Sequence, residues 1–531
     1  RNGTANNMQV QMIPISDNDD LLMLFVDDAP ERSTGNKRAV YYSIYSASSD
    51  SWSEPAIIHD DGTPDDYPTL QNLGDGRILA AWSSAEREMP DDANLETMAS
   101  AMNIEVAFFD TSSRTFGEPA VLTKTTEADY TADIMPRAAY DPETDRVILY
   151  YTKTEYHDLE TLSDYGEAES IIAYLFYENG TWSNTGDAYS ADELEGFTEE
   201  EIAEYKSDWY GQRFLEARLN LDSAAFPRIV SSDAIGYNGL ALFAYTVDWD
   251  NSLNTSNDRD VLLQIYDFEQ NIFTHVIRVT NETGSYDLPQ LARSNNRTYL
   301  FYGEKPQGDG EHGVIRSLDV TYVLQKELYE RVTDGENVYY VLRATSDPGT
   351  SLDSGEVIAE SKTVDIVGDI VTECDTLSDY DAFVADDGRM FLLWTDTRKD
   401  GEGRNIYASL FNTGDDTLDG QAGTFEKEGQ RWSEPVALTD GGQDTYFSGL
   451  GAAFVGNSVF LVSTKGSYAD ASANSITQIR HTPFSKLVPD GDLTFDNPYA
   501  AAGDNVQVTA TLKNPGLETF VAGENGVRVT F

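Results

Sequence analysis

The 531-residue sequence predicts an all-β fold, a seven-bladed β-propeller, with a six-bladed ring as the alternative. Three observations carry that expectation. A unit of four short apolar runs recurs along the chain. The composition favours sheet, with 30 Tyr and 23 Phe. Turn residues such as Gly74-Asp75-Gly76 separate the runs, as hairpins require. A chain this long exceeds one ordinary domain unless it is built of repeats.

The reference unit spans Asp66 to Leu122. It opens DYPTLQNLGDGRILAAWSS, continues NIEVAFFD and closes RTFGEPAVLT. The same order starts again at Met135, Phe226, Asp287 and Asp379, in a worn copy at Phe447, and ahead of them all in MQVQMIPISDNDDLLMLFVDD, which makes seven. One four-stranded sheet cannot bury both its faces, whereas radial stacking buries each against its neighbours. The tails SWSEPAII, TFGEPAVL and RWSEPVAL fit an outer strand. Their aromatics Trp52, Phe116 and Trp432 are expected to wedge between blades, with the Pro where no ladder N–H is needed.

Two units are swollen. Residues 190–219 show helical spacing with an acidic start and predict a helical insert; residues 320–371 predict an extended hairpin or long extra strands. The propeller is expected over residues 1–489. After Pro489 the repeat signature stops, and residues 490–531 read as the beginning of an Ig-like β-sandwich, too short to complete one.

The formal charge is −56 and the pI about 4.1, which repels nucleic acid and anionic lipid. No apolar run reaches the ~18 residues of a membrane-spanning helix, so direct membrane insertion is not expected. Cys374 is the single cysteine and cannot form an intrachain disulfide. The N-terminus lacks a charged-then-apolar leader pattern. Five scattered His residues offer no paired zinc spacing, and there is no GxSxG, P-loop or GxGxxG.

The W-S-E-P tails and DGR-hydrophobic hairpins resemble the sialidase-like (BNR-repeat) propellers of exported bacterial proteins, over residues 8–488. Residues 492–531, with the D-L-T opening, the G-D-N-V-Q-V-T-A-T strand and the K-N-P-G turn, resemble a CARDB-type Ig-like adhesion module. The first resemblance implies an Arg triad, a Tyr–Glu nucleophile pair, an Asp acid/base, an early Arg-Ile-Pro and Asp-boxes. This chain has no Arg-Ile-Pro, and Ser48-Ser49-Asp50-Ser51-Trp52 lacks the Gly and Thr of an Asp-box. Arg137 and Arg228 share a post-Pro position that blade packing explains equally well.

Three groups of residues are singled out. Asp66, Asp133, Asp287 and Asp379 each precede an innermost strand; they are either a cation or polar-ligand ring at the channel mouth or caps of the strand-entry turns. Trp209, Tyr210 and Arg213, beside Phe214, form either a sugar-stacking or docking patch or an anchor for the insert. The loop holding Asp248, Asp250, Asn254, Asp258 and Asp260 supplies hard oxygens suited to a structural Ca²⁺, or is a solvated turn. The expected function is a non-catalytic binding, adhesion or scaffold module of a large secreted or cell-surface protein, with a glycan or surface protein and further domains of the same polypeptide as partners. A glycoside hydrolase or polysaccharide lyase is the first alternative, and a calcium-bridged component of a surface layer or filament the second.

Overall fold

In a computed structural model, the described residues form seven antiparallel sheets of three to five strands, arranged in chain order as blades, and three two-stranded sheets beside them. The structure describes residues 8–15, 19–90, 92–124, 131–155, 170–183, 213–215, 228–249, 258–273, 277–280, 284–294, 297–305, 312–324, 329–334, 337–342, 365–366, 370–371, 379–384, 390–397, 403–411, 432, 435–455, 458–470, 475–481, 488–489, 494–495, 508–509 and 512–513.

Each of the seven larger sheets is one blade. The innermost strands are Gln11–Pro14, Asp65–Asn72, Thr131–Asp141, Arg228–Tyr237, Tyr286–Ser294, Tyr380–Val384 and Thr445–Val455. Two further strands follow within each blade; the first connection is a shorter turn and the second a longer loop. Asn238-Gly239 makes one such turn with φ of 48° and 73°, the paired left-handed geometry of a two-residue hairpin. In blades 1 to 5 the outer strand is split into two short pieces, as in Ser51–Trp52 and Ala56–Ile57. Pro55 lies in that gap and Pro119 in its blade 2 counterpart; neither can donate to a ladder.

The core lies between blades. Leu24, Val26 and Val40 of blade 1 pack on Ala80, Trp82 and Ala107 of blade 2. Equivalent clusters join each successive pair round to blades 6 and 7. The circle then closes: Leu21 and Tyr45 of blade 1 pack on Ala453 and Phe460 of blade 7, and Met23 and Phe25 pack with Val462. Closure depends on a glycine, since a Cβ on Gly451 of the last inner strand would fall 2.5 Å from Val10 Cγ1.

The outer aromatics wedge backward onto the preceding blade, as expected. Phe116 meets Tyr42 at 5.0 Å and Phe273 meets Tyr174 at 4.9 Å between ring centroids. Trp432 meets Phe301 at 6.0 Å, and Trp52 borders the Phe460 cluster.

Two expectations need restating. Within the insert at 190–219, Arg213–Leu215 is a strand, not a helix: Leu215 pairs with Ile172 and covers the third strand of blade 3. The ladder bonds of an open sheet edge outweigh the local helical spacing. The rest of that insert lies outside the described residues. The insert at 320–371 does contain a hairpin, Tyr329–Asp334 with Asn337–Leu342, after a 3-10 turn at Thr321–Leu324. Of the segment beyond residue 489, only Thr494–Phe495, Val508–Thr509 and Leu512–Lys513 are described. Val488 pairs with Lys513, so Val488–Pro489 sides with the C-terminal segment and not with blade 7. The Ig-like expectation otherwise falls outside the described residues.

Candidate functional site at the propeller axis

Among the described residues, the inner strands are not hydrogen-bonded to one another as a sheet. Side chains join them instead, at two levels. The upper level is set by a β-bulge that recurs in blades 2, 3, 4, 5 and 7. Tyr67, Met135, Leu288 and Gly449 occupy the same place in four of these bulges, with φ between 54° and 61°. A bulge leaves one strand N–H without a ladder partner. Here the preceding blade captures it. Gln9 Oε1 accepts from Tyr67 N–H at 2.7 Å and Ser83 Oγ from Met135 N–H at 3.2 Å. Leu288 N–H is shared between its own blade's Asp287 Oδ1 at 2.7 Å and Ser231 Oγ at 3.1 Å, and Asp379 Oδ2 accepts from Gly449 N–H at 2.7 Å.

Two residues further along lies the lower level. Asp233 Oδ2 accepts from Leu291 N–H at 2.7 Å, Gln290 Oε1 from Ala382 N–H at 2.9 Å, and Asp381 Oδ2 from Ala452 N–H at 3.0 Å. Arg137, the equivalent residue of blade 3, is a donor and makes the reverse bond, Nε to Ser232 O at 2.8 Å. Each bond links one blade to the next, so these side chains stitch blades 1 to 7 in series.

The electrostatics follow from enclosure. Asp233 and Asp381 are half-buried as residues, with their carboxyls enclosed by protein. Burial pushes the Asp381 carboxyl up to about 7, and Asp379 and Asp233 push the same way; the Ala452 N–H bond opposes them. Asp233 is also raised by burial, against the Leu291 N–H and Arg137. Burial lowers the Arg137 guanidinium, with Asp233 and Tyr67 resisting. Tyr380, whose OH donates to Leu288 O, is held far above the usual phenol range by burial and by Asp287, Asp233 and Asp381.

The four aspartates expected at the mouth do not share one level. Asp66 and Asp287 lie immediately before their bulges, Asp133 one residue earlier in its strand, and Asp379 level with the bulges. Asp66 takes Arg38 at 2.8 Å and Asp287 takes Arg259 at 3.1 Å. Asp133 is fully buried beside Tyr151. Trp209 and Tyr210 lie outside the described residues, and of Arg213 only its strand position is described. Arg228 begins the inner strand of blade 4.

In the acidic loop, Asp250 and Asn254 lie outside the described residues. Asp248 and Asp260 are fully buried and held by arginines: Asp248 by Arg259 at 2.9 Å, Asp260 by Arg278 at 3.2 Å. Asp260 also accepts from Trp249 Nε1 and Thr280 Oγ1. Asp258 is half-buried at the loop's end. Among the described residues, no group of three or more His, Cys, Asp or Glu side chains is placed to hold a metal ion.

Sequence reasoning missed Asp233, Gln290 and Asp381. The available signal was their position: Gln290, like Arg137, directly follows the proline of a bulge.

No family model and no curated protein matches this chain. Among solved structures it is similar to a protein of unknown function from Dyadobacter fermentans, with 11% identity, TM-score 0.39, and 78% of this chain and 94% of the other covered. It is also similar to Trypanosoma rangeli sialidase in complex with the inhibitor DANA, with 10% identity, TM-score 0.37, and 85% and 57% covered. Penicillium chrysogenum alpha-L-arabinanase, complexed with arabinobiose, matches with 12% identity, TM-score 0.37, and 78% and 93% covered.

Proposed function

We propose that the chain is a non-catalytic binding module of a secreted or cell-surface protein, presenting the upper face of its propeller, where the inner strands begin, to a glycan. One observation carries this reading. The polar side chains nearest the axis, Arg137, Asp233, Gln290 and Asp381, each hold the backbone of the next blade. A catalytic acid or nucleophile must exchange partners during turnover. A group whose bond maintains the ring is poorly suited to that, whereas a rigid ring suits the display of a binding surface.

The reading is tested on immobilised oligosaccharides and in parallel hydrolysis assays. It expects binding to neutral oligosaccharides without release of product. A second reading, glycoside hydrolysis, is favoured by Asp381, whose carboxyl is pushed up to about 7 by burial with Asp379 and Asp233 alongside, the direction a general acid needs. Hydrolysis by the wild type that disappears in Asp381→Asn would replace the first reading with the second. Calcium in the loop of Asp248 and Asp260 is a separate proposal, resting on its supply of oxygens. A higher Tm in millimolar calcium would support it, and an unchanged Tm would remove it.

A further inference from the structure

We infer that Tyr446 and Tyr468, at the upper edge of blade 7, form a stacking platform for one pyranose ring of a neutral glycan. This rests on the binding-module reading and names the site that reading leaves open.

Tyr446 lies on the inner strand, directly opposite Gly466 on the next strand. Its ring covers that glycine so closely that any Cβ there would overlap it. The ring is therefore pinned against backbone, as when an aromatic shields a strand glycine. Shielding alone would need no second ring. Yet Tyr468 sets its own ring 5.1 Å from that of Tyr446, at 48°, and remains 59% exposed. Two adjacent tyrosine rings, one of them open to solvent, present an aromatic face that an amphipathic ligand can cover.

The turn carrying Tyr468 is also fixed. Tyr468 N–H donates to Asp444 O at 2.9 Å, and Ser467 Oγ accepts from Ala469 N–H at 3.2 Å and Asp470 N–H at 3.3 Å. Two rings in a set geometry, on strands and a fixed turn, lose little side-chain freedom on binding. Gln443, Asp444 and Asp470 are exposed within three residues of the two tyrosines in sequence, and Asp444 is tied to Tyr468 through its backbone; their oxygens suit sugar hydroxyls. The pyranose C–H face suits an aromatic surface, and the hydroxyl rim suits acceptors. Carboxylates at the rim, on a chain of net charge −56, disfavour acidic sugars and nucleic acid. What remains is an uncharged hexose or pentose unit.

The experiment measures binding of the full chain to immobilised neutral gluco-, galacto-, manno- and xylo-oligosaccharides, with sialylated and uronic-acid glycans alongside. Tyr468→Ala is expected to leave the Tm within about 1 °C, as an exposed substitution should. It should weaken binding of the neutral probe at least about tenfold, the scale of one lost aromatic contact. Tyr468→Phe should retain binding. If the wild type binds a neutral probe and Tyr468→Ala binds it equally, the platform is wrong and the binding-module reading stands. If no probe binds, both fall. Binding confined to the acidic glycans overturns the platform.

Discussion

Replacing Trp82 by alanine is expected to cost about 3–5 kcal/mol, enough to lower the Tm by many degrees. Trp82 is fully buried, on the second strand of blade 2 opposite the bulge at Tyr67 and Pro68. Its indole fills the seam with blade 1, against Leu24, Val26 and Val40. Deleting the indole removes its burial and leaves a cavity in a seam whose strands are already fixed by their own ladders. The surroundings cannot collapse without shifting a whole blade, so the expected loss lies at the upper end of the range. Trp82→Phe refills most of that volume and should recover more than half. Thermal unfolding followed by near-ultraviolet circular dichroism reads both. A Trp82→Ala protein melting within 2–3 °C of wild type would mean that the seam is loosely filled.

The second large effect concerns Arg259. Its guanidinium joins Asp248 at 2.9 Å to Asp287 at 3.1 Å, and Asp248 is fully buried. Breaking a buried pair from one side strands a charge, so Arg259→Ala is expected to destabilise by roughly 3–5 kcal/mol. The cost should come from the stranded carboxylate more than from loss of the attraction. A double substitution, Arg259→Met with Asp248→Leu, keeps the volume and removes both charges. It should therefore be clearly more stable than Arg259→Ala. A double variant no better than the single one would show that the link to Asp287, not the burial of Asp248, carries the effect.

The repeat was legible in the sequence because each blade must present the same four strands and turns to its neighbours. The wedge aromatics Trp52, Phe116 and Trp432 were legible for the same reason. The stitches were not. They depend on register, and the residues at one level differ in chemistry: Arg137, Asp233, Gln290 and Asp381 share a position but not a side chain. Asp66, Asp133 and Asp379 look equivalent in the repeat alignment, while a bulge or its absence sets them at different levels of the inner strands. The strand at Arg213–Leu215 was hidden by helical spacing, since pairing with Ile172–Tyr174 is a non-local fact. The pairing of Asp260 with Arg278 was not legible in the loop itself, because Arg278 lies 18 residues away in sequence.

Hydrogen exchange at the stitched amides tests the central claim most directly. The N–H groups of Leu291, Ala382, Gly449 and Ala452 are bonded to side chains of the preceding blade. If those bonds hold the ring, these amides exchange as slowly as the paired amides of the second strands, and Asp381→Asn, which keeps an acceptor, leaves Ala452 protected while Asp381→Ala exposes it. Fast exchange at these positions in the wild type, with the second strands still protected, would contradict the account: the axial side chains would then be free of structural duty and available for chemistry.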